Sequence, residues 1–184
     1  MAAHVMAHAD RLADKIALQV VGDKPETFTY GQLQSAIRGT ATGLLEQGLS
    51  PGDRLLMQLG NTPEFPITYL GAITAGIIPV PVSVQLTKPE LRKISETIKP
   101  AMTIIAKTGL NLRQLWTLPS ADYVMGDPNR PAYMVFTSGT SGQPRAVIHA
   151  HRAVWARQMM WDGWYGISQA DRLMHAGAFN WTYT

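Results

Sequence analysis

Short apolar runs alternate along this chain with segments whose apolar residues recur every three or four positions. Ile16 to Val21 reads as a strand, Gly22-Asp23-Lys24-Pro25 as a turn, and Thr27 to Thr29 as a second short strand. Thr29 and Gln32 have capping-box spacing, in which a hydroxyl and an amide three residues on satisfy each other's free N–H groups. Leu33, Ile37, Ala41, Leu44 and Leu45 follow at helical spacing, and Gly48 is the expected stop. After the turn Ser50 to Asp53, Arg54 to Leu59 reads as a buried strand. Asn61-Thr62-Pro63-Glu64 predicts a helix start with a polar cap, and Ile67, Leu70, Ile73, Thr74 and Ile77 its inner face. Ile78 to Val84 is the next strand, with an irregular end because Pro79 and Pro81 lack ladder donors. Thr87 and Glu90 form a second capping box, followed by Leu91, Ile94 and Ile98, with Pro100 as terminator. Met102 to Ala106 reads as another strand, and 107–130 as connecting structure with at most one short helix.

Strands alternating with helices of roughly 10–15 residues imply βαβ units. The expected fold class is therefore α/β, with a mainly parallel sheet flanked by helices.

Composition narrows the function classes. Hydrophobic residues are 46% of the chain and charged residues 16%, enough apolar surface to bury a core. The net charge of +3 comes from scattered residues, which gives nucleic-acid binding weak support. The local concentration Arg145, His149, His151, Arg152 and Arg157 reads equally well as a solvated helix face. No cysteine is present, which removes disulfides and Cys-based metal sites and fits a cytoplasmic protein. No apolar run reaches the roughly 18 residues of a membrane span, and Met1 to Asp10 does not read as a signal peptide. The five histidines have no acid or cysteine at a recognisable metal spacing, so no metal ligand is assigned.

One segment carries chemistry. Tyr133 to Phe136 is an apolar strand that runs into Thr137-Ser138-Gly139-Thr140-Ser141-Gly142-Gln143-Pro144-Arg145, and Ala146-Val147-Ile148 resumes strand character. Glycines let the backbone approach a ligand, hydroxyls and N–H groups donate at short range, and Arg145 adds full positive charge. That combination suits phosphate oxygens. A Ser/Gly-rich hairpin turn is the plain alternative. Neither the GxxxxGK[ST] nor the GxGxxG pattern is met.

The stretch YMVFTSGTSGQPRAVIHAHRAV resembles the signature loop of the adenylate-forming (AMP-binding) superfamily, which includes acyl-CoA synthetases, peptide-synthetase adenylation domains and luciferases. The resemblance continues in FTYGQLQ, GLSPGDRLLMQLGNTPEF and LGAITAGIIPVPVS, and covers about Asp10 to Thr184 in order. Arg145 and Ala146 stand where that family usually has Lys-Gly.

The resemblance implies the N-terminal portion of an ATP-dependent, AMP-forming carboxylic acid:CoA ligase. Its large domain is represented by residues 1–184, as a partial AMP-binding domain without the C-terminal domain. It implies that Thr137, Ser138, Gly139, Thr140, Ser141, Gly142, Gln143, Pro144 and Arg145 hold the ATP phosphates, assisted by Mg²⁺, with CoA as co-substrate. The segment MHAGAFNWTYT resembles the region that supplies acyl-pocket aromatics, so Trp181, Phe179 and His149 are substrate-pocket candidates, against an ordinary packing role for each. The same wording leans towards medium-chain or aromatic acids. No catalytic side chain is assigned within these residues. The chain stops at Thr184 inside an apolar aromatic stretch, which reads as truncation, so alone it is expected to be inactive, marginally stable and prone to associate. Alternatives are an adenylation domain loading a carrier protein, a short non-catalytic nucleotide- or acyl-binding protein, and a remnant whose loop is only a turn. Trp155, Trp161, Trp164 and Tyr165 are expected to form a packed helix face first and a substrate surface second.

Overall fold

The computed structural model describes residues 1–106, 109–138, 144–174 and 177–180. A short helix α1 (Ala2–Val5) precedes β1 (Ile16–Val20), which pairs antiparallel with β2 (Glu26–Thr29). Helix α2 (Tyr30–Glu46) starts at the expected capping box: Gln32 N donates to Thr29 Oγ1 at 3.3 Å, and Thr29 N donates to Gln32 Oε1 at 2.9 Å. Ile37, Ala41 and Leu44 are buried as expected, but Leu45 is 38% exposed, because the helix ends one residue later and turns its last apolar position outward.

Strand β3 (Arg54–Gln58) is followed by α3 (Glu64–Thr74), β4 (Ile78–Pro81), α4 (Lys88–Ile98), β5 (Met102–Ile105) and the single-turn helix α5 (Leu112–Leu115). The second capping box, Thr87 with Glu90, is formed, and Lys99 leaves α4 in a left-handed conformation immediately before Pro100. The cap of α3 differs from expectation. Pro63 takes the capping position without a side-chain hydrogen bond, and Asn61 bonds elsewhere. Strand β4 stops at Pro81, short of Val84, as its missing ladder donors would dictate.

Strands β3, β4 and β5 form a parallel sheet in the order β4-β3-β5, so β3 is central. Its Leu55, Leu56 and Met57 are fully buried, because helices cover both faces. Leu55 and Met57 join one apolar cluster with Leu44, Phe65, Ile104 and Leu115; Leu56 joins another with Val80, Ile94 and Ile98. Helices α2 and α3 touch backbone to backbone: a Cβ on Gly71 would sit 2.9 Å from Thr40 Cβ and 3.0 Å from Ile37 O. Only glycine allows that approach.

Among the described residues two antiparallel pairs accompany the parallel sheet: β1–β2, which packs on α2, and β6 (Pro131–Ser138) with β7 (Pro144–Ala150), which meets the sheet where β6 packs by β4. After them come α6 (Ala153–Gln158) and a π-helical turn, Trp161–Tyr165. The fold class is thus α/β around a parallel sheet, with the candidate chemistry carried on an antiparallel hairpin beside it. No helix among the described residues is long and apolar enough to cross a membrane.

Candidate functional site: the phosphate-loop hairpin

The hairpin is rooted on one strand and free on the other. In β6, Ala132, Met134 and Val135 are buried, and Met134 packs into the cluster of Leu56, Val80 and Ile94 with Phe136 against it. In β7, Arg145 and Ala146 are exposed, Val147 is 38% exposed and Ile148 56%. Core packing therefore fixes β6, and β7 is held by its ladder to β6.

The register places the candidate donors. Thr137 pairs with Arg145 and Ser138 with Pro144 at the outer end of the ladder. Cross-strand partners project their side chains to one face, about 5 Å apart at Cβ, so a hydroxyl and a guanidinium flank the mouth of the bend together. Gly139, Thr140, Ser141, Gly142 and Gln143 lie outside the described residues, as does Trp181. Among the described residues no acid forms an ion pair with Arg145. The antiparallel pairing is the hairpin of the plain alternative, and it is compatible with anion binding, since a hairpin tip is where backbone N–H groups leave their ladder partners.

Two pocket candidates end up on one aromatic row. His149 is the ladder partner of Tyr133 and stacks flat on it, with ring centroids 4.6 Å apart and 3° between planes. Tyr133 meets Tyr69 at 5.8 Å, Tyr69 meets Phe65 at 6.1 Å, and Phe65 meets Phe179 at 5.2 Å. His149 and Phe179 thus occupy opposite ends of a row that crosses β7, β6, α3 and the 177–180 segment. Burial raises the Tyr69 hydroxyl well above its ordinary pKa, with the neighbouring Tyr133 adding to it, so this phenol keeps its proton at neutral pH. Asn61, expected as a helix cap, instead clamps the end of the row: its Nδ2 donates to Gly177 O and its Oδ1 accepts from Phe179 N. Its sequence context resembled a cap because both roles use a short amide beside a turn.

The basic concentration does not form one solvated helix face. Arg145 and His149 belong to β7, while His151 is 7% exposed at the start of the next turn. Burial lowers the His151 pKa to about 4, and the Met1 amino group and Arg130 act in the same direction. The expected packed aromatic face is also corrected. Trp155 is 55% exposed, Trp161 49%, Trp164 76% and Tyr165 50%. These residues are divided between α6 and the π-helical turn, two short elements that do not share one helical stripe.

A family model described as AMP-binding enzyme matches residues 5–184. The chain belongs to the AMP-binding enzyme family. Among curated relatives, it is 26% identical over 203 aligned positions to a 3-hydroxybenzoate–CoA ligase of Aromatoleum sp. (strain CIB), covering 91% of this chain and 39% of the relative. It is 25% identical over 174 positions to a long-chain-fatty-acid–CoA ligase of Mycobacterium tuberculosis (strain ATCC 25618 / H37Rv), covering 80% of this chain and 34% of that protein. An acyl-CoA synthetase of Brucella canis shares the fold with a TM-score of 0.82 at 21% identity, over 97% of this chain and 39% of that one. This member of the family therefore spans about two-fifths of the length of the first curated relatives it matches.

Among the described residues, no group of three or more His, Asp or Glu side chains converges to hold a metal ion. The groups at the hairpin mouth, a hydroxyl and a guanidinium, fit phosphate oxygens, and the guanidinium has no lone pair to offer a cation.

Proposed function

We propose that this chain supplies the phosphate-holding part of an ATP-dependent, AMP-forming carboxylic acid:CoA ligase. In the reaction, a substrate carboxylate oxygen bonds to the α-phosphorus of ATP while the bond to the β-phosphate oxygen breaks. Pyrophosphate leaves, and the CoA thiol then displaces AMP from the acyl-adenylate. Both nucleophiles come from substrates, which is consistent with a chain that has no cysteine. The residues from Thr137 to Arg145 hold the β- and γ-phosphates, and Arg145 offsets the negative charge that builds on the departing pyrophosphate. Mg²⁺ would neutralise the phosphate oxygens beside them.

The observation that carries this reading is the pairing of Thr137 with Arg145 at the open end of a hairpin whose other strand is locked into the core. A site that must not reorganise during the reaction needs such a root. Phe179 and His149, at the two ends of the aromatic row, are the described candidates for the acyl pocket. Trp181 is the third. An aromatic acid is favoured by the hydroxybenzoate named for the first relative, and the fatty acid named for the other makes long-chain acids the comparison to run.

The test is titration with ATP·Mg²⁺ and with pyrophosphate, before and after Arg145→Ala. Binding is expected to weaken by about tenfold or more, as for a lost charge-assisted contact, with little change in melting temperature. Unchanged nucleotide affinity removes the loop assignment. Pyrophosphate release with a panel of benzoates and fatty acids then asks how much of the reaction these residues perform alone; none is expected.

A further inference from the structure

At the other end of the hairpin, the structure holds a crevice that the ligase reading does not use. It has a volume of about 470 Å³ and lies between the first residues of the chain, the 123–130 segment and the start of α6. That volume falls within the range of roughly 300–1,000 Å³ typical of small-molecule sites. Ile73, Val124, Met125, Val154 and Trp155 give it apolar walls. Arg130, Arg152 and His4 line it as well, and among the described residues no Asp or Glu does.

Among the described residues no acid neutralises either arginine. Arg130 donates to two carbonyl oxygens, Val124 O at 2.5 Å and Asp127 O at 3.1 Å, which orient the guanidinium without cancelling its charge. Among the described residues neither Arg130 nor Arg152 forms an ion pair. His151 closes the inner wall in neutral form, its Nδ1 accepting from the Met1 amino group at 3.0 Å. An apolar space bordered by uncompensated guanidinium groups is complementary to a molecule with an apolar body and one negative charge.

We propose that this crevice is a second binding site, for a small organic carboxylate whose apolar body lies between Val154 and Val124 and whose acid group meets Arg130 and Arg152. It is distinct from the phosphate loop. Pro131 pairs with Ala150 at this end of the hairpin and Ser138 with Pro144 at the other, and seven strand steps separate them by roughly 20 Å.

The experiment is calorimetric titration of the full chain with 2-naphthoate, alongside 2-naphthamide, which has the same rings without the charge. Saturable binding of the acid is expected, with the amide weaker by about tenfold, the value of one charge-assisted contact. Arg152→Met should weaken the acid by a similar factor; Arg152 is exposed, so this variant keeps the fold. Val154→Trp, which fills the crevice, should abolish binding. Arg145→Ala, at the far end of the hairpin, should leave it unaltered. The proposal is overturned if the acid does not saturate, if the amide binds equally well, or if Arg145→Ala removes the signal, which would move the ligand to the phosphate loop.

Discussion

The parallel sheet and the β6–β7 hairpin are built from similar apolar residues, but they are held in different ways. Strand β3 is enclosed by helices, and its Leu55, Leu56 and Met57 have no exposure. Among the described residues strand β7 pairs with β6 alone, and it leaves Val147 and Ile148 exposed. The sheet gains its order from burial on two faces; the hairpin borrows rigidity through β6 and leaves much of β7 exposed. A scaffold of this kind separates stability from ligand contact, because the residues that fix the hairpin are not those that would touch the phosphate.

The largest expected effect lies in the sheet. Leu56→Ala removes a fully buried side chain from the cluster that also anchors Met134, and should cost about 2–5 kcal/mol in denaturant unfolding. A loss under about 1 kcal/mol would show that the sheet is less tightly packed than its burial implies.

Acid comes next. His151 has a folded pKa of about 4 against an ordinary value of 6.5, so between those values the unfolded chain binds more protons than the folded one. Stability should therefore be complete above about pH 6.5, fall as pH is lowered towards 4, and lose nothing further from this group below that. The full shift corresponds to roughly 3–4 kcal/mol, which partial solvent screening of the ring reduces to about 2 kcal/mol. His151→Gln should flatten that part of the profile, and an unchanged slope would assign the acid sensitivity to other groups.

A smaller effect is expected where polar contacts tie β2, α3 and α5 together. Arg113 donates to both oxygens of Glu26, at 2.9 and 2.7 Å, and to Glu64 at 2.6 Å, with its guanidinium over the Trp116 ring at 5.0 Å. The group is about half exposed, so solvent screens it, and Arg113→Ala should cost about 1 kcal/mol. Arg113→Lys should recover only part of that, because an ammonium cannot reproduce the fork. Full recovery would reduce the contact to simple charge.

The smallest effect belongs to β7. Ile148→Thr, at a 56% exposed position, should change stability by less than about 0.5 kcal/mol. A larger loss would mean that β7 is supported by more than its ladder, and would narrow the contrast between the two regions.

Much of this architecture is readable in local sequence. Thr29 with Gln32 and Thr87 with Glu90 are self-contained: each pair lies within one turn, so spacing alone specifies both hydrogen bonds. The short β3 and β5 strands were marked by apolar runs, and the missing donors of Pro79 and Pro81 marked the limit of β4. The aromatic segment after β7 was not readable in the same way. Trp155, Trp161, Trp164 and Tyr165 have the residue types of a core, but exposure depends on what covers them, and spacing carries no information about that. Asn61 and His151 illustrate the same limit. One bonds to residues more than a hundred positions away and the other to the first residue of the chain.

By itself, the sequence determined the order of elements from β1 to β5, the two capping boxes, the α/β class and the position of the hydroxyl- and glycine-rich segment, because these depend on neighbours within a few residues. Only the tertiary structure decided that Thr137 faces Arg145 across a ladder, that His149 and Phe179 end one aromatic row, and that Arg130 and Arg152 border an acid-free crevice. Those arrangements are contacts between distant parts of the chain, and packing of the whole core selects them.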